Sequence, residues 1–162
     1  MNNTYYTTIH SPVGFLRITT NETALLSVDF MDKHSESDSY QPAILKNSVS
    51  QLLEYFNGAR TEFSLNLNPE GTEFQKKVWQ LVESIPFGKT VSYLDIALLS
   101  GSEKNTRAVG LVNGKNPIPI IIPCHRVIGS SGKITGYAGG IERKKWLLLH
   151  EQSIVKPAGK LF

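Results

Sequence analysis

Short runs rich in β-branched and aromatic residues fill the first thirty positions and predict three β-strands. The segments are "TYYTTIH", "GFLRITT" and "ALLSVDF", and such residues are enriched in strands. The sequences "SPVG" and "NETA" lie between them and are typical of turns. Three strands joined by short turns form a β-meander.

The pattern changes to helical spacing after "HSESDSYQP", a polar, serine-rich stretch that predicts a loop. In "AILKNSVSQLLEYFNGAR" the apolar residues recur at the spacing of one helix face, and the helix should end at Gly58. The apolar positions are Leu45, Val49, Leu52, Leu53 and Phe56. "EFSLNL" predicts a further strand, and "NPEG" breaks the pattern. We therefore expect an α/β lobe over residues 1–70 and a second domain over residues 71–162.

Two helix starts in the second half carry capping-box spacing. Thr72 is followed by Gln75 in "TEFQKKVWQLVESI", and Ser92 by Asp95 in "SYLDIALLSG". Each pair can satisfy the unpaired N–H groups of a first helical turn. "PFG" should end the first of these helices, and Gly101 the second. The first helix places the following apolar residues on one face: Phe74, Val78, Leu81, Val82 and Ile85.

Another helix, over "SEKNTRAVGLVNGKN" and ending near Gly114, would complete a pair of short helices joined by a glycine-containing turn. This outline fits a helix-turn-helix, but it also fits a plain αα-hairpin. The last segment, "IERKKWLLLHE", predicts an amphipathic helix with its charges early and Trp146, Leu147, Leu149 and His150 late. The elements together predict an α+β fold.

Composition and charge narrow the class of protein. Hydrophobic residues make up 40% and charged residues 19% of the chain, which is typical of a globular domain. The net charge of +3 is unevenly placed: residues 1–68 hold four Lys/Arg and seven Asp/Glu, whereas residues 69–162 hold 13 and seven. This basic excess favours an anionic partner for the second half, with nucleic acid as the first candidate, although many basic surfaces bind nothing.

The cysteine count and the opening residues bear on the compartment. A single cysteine excludes an internal disulfide and any zinc site built on several cysteines. The opening "MNNTYYTTIH" lacks the basic start and apolar stretch of a signal peptide, and runs such as "IPIIIP" are too short to span a bilayer. We expect a cytoplasmic protein with no membrane partner.

The single cysteine, Cys124, lies in "PIPIIIPCHRVIGSSG", directly before His125 and Arg126. Consecutive side chains point apart in a strand and lie about 100° apart in a helix. A Cys–His pair here would therefore act across a tight turn or through a bridging water, with Glu151 as the group that orients the imidazole. Two alternatives stay open, an inert packed cysteine and a metal site formed by Cys124, His125 and His150.

These residues belong to a longer pattern that resembles a known family. "IPCHRVIG", preceded by "VGLVNGKNPIPI" and followed by "GYAGGIERKKWLLLHE", closely resembles the 6-O-alkylguanine-DNA alkyltransferases (methylated-DNA–protein-cysteine methyltransferases). With "FGKTVSY", "TRAVG" and the terminal "HE", the match runs from about Thr72 to Glu151. The first half resembles the family only in layout. The resemblance implies a ribonuclease-H-like first lobe, then a mainly helical domain with a helix-turn-helix.

The resemblance also implies a reaction. Members of this family bind duplex DNA, rotate a damaged guanine out of the stack and move its alkyl group to a cysteine, here Cys124. His125 would take the thiol proton through water, and Glu151 would hold the imidazole. Asn116 would brace the turn before the active-site segment. Tyr93 would protonate or hydrogen-bond the base at ring nitrogen N3.

The base pocket and the DNA contacts follow from the same resemblance. Pro119, Val127 and Tyr137 would line the pocket, and Ala138 replaces the serine usual in the family, although its backbone N–H would still bind the guanine oxygen. Arg107 would fill the gap left by the flipped base. The other implied DNA contacts are Ala108 and Gly110, small enough for close approach to the minor groove, and the phosphate contacts Thr106, Lys115 and Arg126. For Arg126 a structural anchor is the alternative.

Several consequences are expected from this chemistry. The alkyl-cysteine thioether is stable and no second thiol could remove it, so each molecule should act once. No cofactor is expected, because the damaged base is the alkyl donor. No metal is expected either, because residues 1–68 contain no cysteine and only two histidines. We expect a monomer, with cooperative binding along DNA left open.

Three rival functions remain to be weighed. A non-catalytic protein that binds alkylated DNA would replace the cysteine, so Cys124 argues against it. A thiol hydrolase would need an oxyanion hole, and no hydrolase motif supports one. A plain helix-turn-helix module would keep its function without Cys124. The sequence leaves open which alkyl groups are accepted, and whether thymine alkylated at its 4-oxygen is a substrate.

Overall fold

The computed structural model describes residues 3–155, which divide into two compact units between Glu70 and Gly71. The first unit contains an antiparallel sheet in the order β1-β2-β3. Its strands are β1 (Tyr5–Ser11), β2 (Gly14–Thr20) and β3 (Leu25–Met31). Tyr5 pairs with Thr20 and Phe15 with Met31. The predicted β-meander is confirmed.

Helix α1 (Ala43–Phe56) packs against this sheet and closes the core of the first unit. In β2 alternate residues are buried, as expected for a strand with one face on the core. The fully buried apolar residues of this unit are Leu16, Ile18, Leu25, Leu45, Leu52 and Tyr55.

The strand predicted over "EFSLNL" is wrong. Only Leu67 forms a bridge, a parallel one to Leu25. The reason is that the backbone of Ser64 bonds to a side chain: its N–H donates to Gln51 Oε1 at 2.9 Å, and its carbonyl accepts from Gln51 Nε2 at 3.1 Å. The N–H and carbonyl of Ser64 are therefore held by α1, and within the described chain pairing with β3 is limited to the bonds of Asn66 and Asn68 with Leu25.

The second unit is mainly helical, so the fold is α+β. Its regular elements are α2 (Glu73–Glu83), β4 (Val91–Ser92), α3 (Tyr93–Leu99), α4 (Thr106–Gly114), β5 (Val127–Ile128) and α5 (Ile141–Val155). Strands β4 and β5 pair in parallel. Short 3₁₀ turns lie at Glu103–Asn105, before α4, and at Cys124–Arg126. The geometry of α3, turn and α4 alone leaves both the helix-turn-helix and the αα-hairpin interpretations open.

The predicted helix starts are confirmed in atomic detail. Thr72 and Gln75 exchange both bonds of a capping box at the start of α2, and Ser92 and Asp95 do the same at α3. Gly101, at φ 124°, follows the end of α3 in a conformation that favours glycine. These caps fix where α3 begins and hence where its first residue, Tyr93, points.

Helix α5 has a buried face that the sequence did not predict. Its buried face consists of Lys144, Leu147 and Glu151, whereas Leu149 is 69% exposed. The predicted helix is confirmed, but its buried face includes two charged side chains, Lys144 and Glu151, which are satisfied there by hydrogen bonds. No helix within residues 3–155 is long and apolar enough to cross a membrane.

Candidate active site around Cys124

A turn braced by asparagines presents Cys124. Asn116 Nδ2 donates to the carbonyl of Ile122 at 2.8 Å, and Asn116 Oδ1 accepts from the N–H of Ile118 at 2.9 Å. Asn113, on α4, donates from Nδ2 to the carbonyl of Cys124 at 3.1 Å. The structure thus places Asn116 across the turn that leads to the cysteine. It also adds Asn113, which sequence reasoning missed.

The thiol of Cys124 is buried, with 3% of the residue exposed. Burial raises its pKa to about 11, against smaller opposing effects from the Asn116 side chain, the Lys144 ammonium and nearby backbone amides. At neutral pH the resting group is therefore a protonated thiol. Because the thiolate is the nucleophilic form, any reaction at this sulfur needs a base.

His125 is fully buried beside Glu151. Its Nε2 lies 2.6 Å from Glu151 Oε2. Burial lowers the pKa of His125, although the Glu151 carboxylate opposes the shift, so the resting imidazole is neutral. A carboxylate can only accept, so Nε2 carries the proton and Nδ1 keeps its lone pair. Among the described residues Nδ1 has no hydrogen-bond partner, and it is free to receive a proton.

Arg126 holds the same carboxylate from the other side. Its Nε donates to Glu151 Oε1 at 2.8 Å and its Nη2 to Oε2 at 3.0 Å, while Nη1 donates to the carbonyl of Ile85 at 2.7 Å. Only 6% of Arg126 is exposed. This position corrects the phosphate contact considered for Arg126: it is buried and each of its three guanidinium nitrogens donates to an internal acceptor, so the guanidinium anchors the site.

Glu151 is accordingly ionised. Burial alone would raise the pKa of its carboxyl, but hydrogen bonds and charges from His125 and Arg126 hold it well below the usual range. The N–H of Gly88 adds a further bond to Oε1 at 3.2 Å. Gly88 adopts φ 78°, and a Cβ there would lie 2.8 Å from Val155 Cγ1. Only glycine can approach α5 this closely.

Lys144 is a buried cation that sequence reasoning missed. It is 0% exposed, and its Nζ donates to the carbonyls of Val127 and Thr135 at 2.7 Å each. Burial lowers its pKa to about 8. One sequence signal was present: Lys144 precedes Glu151 by seven residues, two helical turns, so both lie on one face.

Two tyrosines flank the cysteine. The hydroxyl of Tyr93 donates to the carbonyl of Thr135 at 3.1 Å and lies 3.5 Å from Lys144 Nζ. Tyr137 is 9% exposed, and burial raises its pKa well above the ordinary value, with a further contribution from Cys124. Gly136, at φ 57°, brings the loop over Tyr93, since a Cβ there would lie 3.6 Å from the hydroxyl.

The other predicted pocket residues divide by exposure. Pro119 and Val127 are buried next to the segment that carries Cys124, whereas Ala138 is exposed. Nothing in the structure brings the Ala138 side chain into the interior. The predicted role of Ala138 belongs to its backbone N–H, and the exposure of its side chain does not bear on that role.

The exposed face of α4 carries three of the six residues predicted to meet DNA. Arg107, Ala108 and Lys115 are exposed, and they share that face with Leu111, which is 63% exposed and was not predicted. Thr106 is half-buried and donates its hydroxyl to the carbonyl of Glu103 at 2.6 Å. Gly110 is also half-buried, and a Cβ there would lie 3.9 Å from Tyr93 Cδ1. Helix α4 therefore turns one face outward while Asn113 on its other face holds the cysteine segment.

The geometry as a whole supplies a nucleophile, a neutral base and a fixed carboxylate. Within residues 3–155 no group of three or more His, Cys, Asp or Glu side chains is placed to hold a metal ion. A metal site formed by Cys124, His125 and His150 therefore has no support in the described chain. The arrangement fits transfer of a group to sulfur, with removal of the thiol proton by His125.

Comparison with known proteins covers both units. The DNA-binding domain model of 6-O-methylguanine DNA methyltransferase matches residues 73–153, and the ribonuclease-like domain model matches residues 4–69. The second match extends the likeness to the first half, where the sequence had shown layout alone.

Individual relatives match over nearly their whole length. The methylated-DNA–protein-cysteine methyltransferase of Mycobacterium tuberculosis is 45% identical over 153 residues, covering 92% of this chain and 93% of the relative. The constitutive enzyme of that name from Bacillus subtilis is 42% identical over 158 residues, covering 93% and 96%.

Solved structures agree. The crystal structure of the Mycobacterium tuberculosis O6-methylguanine methyltransferase superposes with a TM-score of 0.85 at 44% identity, covering 96% of both chains. The OGT of the same organism in complex with DNA superposes with a TM-score of 0.84 at 46% identity, covering 92% of this chain and 93% of that one.

Proposed function

The chain belongs to the 6-O-methylguanine DNA methyltransferase family, and on that premise we propose that it repairs DNA by moving an alkyl group from the 6-oxygen of guanine to Cys124. The observation that carries the proposal is the burial of Cys124 next to the hydrogen-bonded pair His125 and Glu151. This arrangement combines a protonated thiol, a neutral imidazole with an unpartnered Nδ1 and an ionised carboxylate.

The proposed reaction is a single displacement. The thiol proton passes through water to His125 Nδ1, and the imidazolium is stabilised by Glu151. The sulfur then attacks the alkyl carbon: the S–C bond forms, the C–O bond breaks, and its electron pair stays on the guanine. Tyr93 stabilises that charge by hydrogen bonding or protonation at N3. The proton held by His125 finally passes to the guanine anion, so that the repaired base leaves the site neutral and His125 returns to its neutral form.

The DNA contacts complete the proposal. The exposed face of α4 lies against the minor groove, where small Ala108 and Gly110 permit close approach and Arg107 fills the gap left by the flipped base. Thr106 and Lys115 contact phosphates.

The flipped base enters a pocket formed by Pro119, Val127 and Tyr137, and the backbone of Ala138 binds its 6-oxygen. The protein acts as a monomer.

A titration of damaged duplex with protein tests the proposal. Duplex DNA carrying one 6-O-methylguanine is incubated with increasing protein, and the remaining lesion is quantified by mass spectrometry of the nucleosides. Loss of one lesion per protein molecule, with no loss for Cys124→Ser, is the expected result. Lesion loss beyond one equivalent would contradict single use. Tight binding without lesion loss would instead identify a non-catalytic protein that binds alkylated DNA.

A further inference from the structure

Lys144 carries a buried positive charge that forms no ion pair with a carboxylate of the described residues. Within residues 3–155 its Nζ bonds only to neutral oxygens, the carbonyls of Val127 and Thr135 and the hydroxyl of Tyr93. A buried charge without an opposite partner is costly. Methionine would fill a similar volume without this cost, so the charge needs an explanation other than packing.

The rest of the resting site is electrically balanced. Arg126 and Glu151 form a bidentate ion pair that neutralises both. Cys124 is a neutral thiol and His125 a neutral imidazole, because burial disfavours the charged form of each. The buried cluster therefore holds one net positive charge before any substrate arrives, and it resides on Lys144.

Lys144 also lies where negative charge would develop. Its ammonium is close enough to Cys124 to lower the pKa of the thiol, and a thiolate there in turn raises the pKa of Lys144. Its Nζ is 3.5 Å from the hydroxyl of Tyr93 and 5.7 Å from the centre of that ring. One cation thus lies beside the side chain proposed to contact the base, bonds to the carbonyl of Val127 three residues after the cysteine, and acts electrostatically on the thiol.

We propose that Lys144 is a positioning residue whose charge stabilises the negative charge of alkyl transfer, first on the Cys124 sulfur and then, through Tyr93, on the departing guanine. This inference rests on the proposed function. In the reaction the thiol proton moves to His125, the S–C bond forms as the C–O bond breaks, and the electron pair remains on the base. Lys144 loses no proton in any of these steps.

The charge of Lys144 predicts a pH dependence. The groups that face it are Cys124, Tyr93 and His125, and the Arg126–Glu151 pair lies behind His125. Burial lowers the pKa of Lys144 to about 8, whereas it raises those of Cys124 and Tyr93 above their ordinary values. Between pH 8 and 9.5 Lys144 is therefore the group in this set that loses its charge, and transfer should slow as it does.

The test compares Lys144→Gln with the parent chain and with Lys145→Gln. Glutamine keeps an N–H donor for the carbonyls but removes the charge, and Lys145 is an exposed lysine on the same helix. Single-turnover methyl transfer is measured by intact-protein mass at saturating 6-O-methylguanine duplex, from pH 6.5 to 9.5. The dissociation constant for the duplex and the melting temperature are measured for each protein.

For Lys144→Gln we expect a rate constant at least tenfold below that of the parent at pH 7, with DNA affinity within twofold. The parent rate should decline above about pH 8, and Lys144→Gln should show no such decline. Lys145→Gln should match the parent.

A folded Lys144→Gln protein that transfers as fast as the parent would overturn the inference, as would an equal loss for Lys145→Gln. If Lys144→Gln does not fold, a parent rate that shows no decline up to pH 9.5 overturns it. Failure of the parent itself to gain a methyl group would instead refute the proposed function.

Discussion

A buried histidine can act as a base only if one ring nitrogen keeps a free lone pair, and Glu151 secures this for His125. Because Glu151 accepts the proton on Nε2 at 2.6 Å, Nδ1 is left as the acceptor. Arg126 keeps Glu151 ionised and fixed in place. Burial thus keeps His125 neutral, and Glu151, held by Arg126, keeps its proton on Nε2. In that state Nδ1 can accept the proton of the thiol.

Removing the negative charge of Glu151 should destabilise the folded protein. Glu151→Gln leaves the buried guanidinium of Arg126 without its counter-ion, which should lower the free energy of unfolding by about 3–5 kcal/mol, as measured by urea denaturation. The matched control is Glu54→Gln, because the Arg60–Glu54 pair is partly exposed, at 29% and 45%; it should cost less than about 1 kcal/mol. Equal losses for the two variants would refute the assignment of Glu151 as a buried anchor.

The lowered pKa of His125 makes stability depend on pH. The unfolded chain protonates this histidine below about pH 6.5, whereas the folded protein does not until a lower pH. Stability should therefore fall with falling pH in that window, by up to about 1.4 kcal/mol per pH unit from this group. Urea unfolding at pH 7 and pH 5.5 checks this, and the parent should lose more than His125→Gln. Equal losses would mean that His125 is already charged in the fold.

The sequence predicted the site residues unevenly, for physical reasons. A contiguous motif placed Cys124, His125 and Arg126 together, so their neighbourhood was predictable. The direction of the Arg126 side chain was not predictable, because a phosphate contact and a structural anchor differ only in whether the side chain is exposed or buried. Lys144 was missed since a lysine in a helix is usually solvated, and only tertiary packing against two carbonyls shows that it is buried.

For helices and strands, sequence signals predicted the structure correctly where the residues involved lie within one helical turn of each other. Capping boxes depend on residues three apart, and both predicted boxes are present. The strand predicted at "EFSLNL" was wrong because a long-range contact with Gln51 outweighed β-propensity. The orientation of α5 was equally beyond local pattern, because its buried face depends on Lys144 and Glu151 finding partners elsewhere.

Helix α4 carries Arg107 on the face proposed to meet DNA and Asn113 on the face that holds the cysteine segment, and substitution of Arg107 tests the first of these roles. Arg107 is exposed and alanine is a better helix former, so Arg107→Ala should change the free energy of unfolding by less than about 0.5 kcal/mol. Transfer from duplex DNA should fall at least tenfold. The loss should be smaller for a single-stranded oligonucleotide with the same lesion, because flipping then costs least. Single-turnover rates measure both.

The neighbouring lysine supplies the control for this prediction. Lys104→Ala removes an exposed positive charge from the turn before α4, and its transfer rate should stay close to that of the parent on both substrates. If Arg107→Ala slows transfer equally from duplex and single strand, Arg107 acts in binding rather than in filling the gap left by the base.

For the molecule as a whole, charge separates the two halves of the chain. The basic excess after residue 68 coincides with the DNA-binding domain match over residues 73–153. Composition could predict an anionic partner but not which face meets it. Because α4 and its C-cap expose Arg107 and Lys115 together, we propose that this face meets the DNA.

Binding to undamaged duplex should therefore depend strongly on salt. The logarithm of the association constant should fall linearly with the logarithm of salt concentration, and Lys115→Ala should reduce the slope by about 0.9, the value for one lost phosphate contact. Fluorescence anisotropy at four salt concentrations measures the slope. An unchanged slope for Lys115→Ala would remove this lysine from the DNA-binding face.

The most direct test of alkyl transfer to Cys124 is the mass of the protein after incubation with damaged DNA. The chain is incubated with excess duplex carrying one 6-O-methylguanine, and the intact protein and its peptides are weighed beside Cys124→Ser. We predict a gain of one methyl group, located on Cys124, that stops at one equivalent and is absent from the control. No gain in a protein that binds the duplex would contradict the central claim that the buried thiol is an alkyl acceptor.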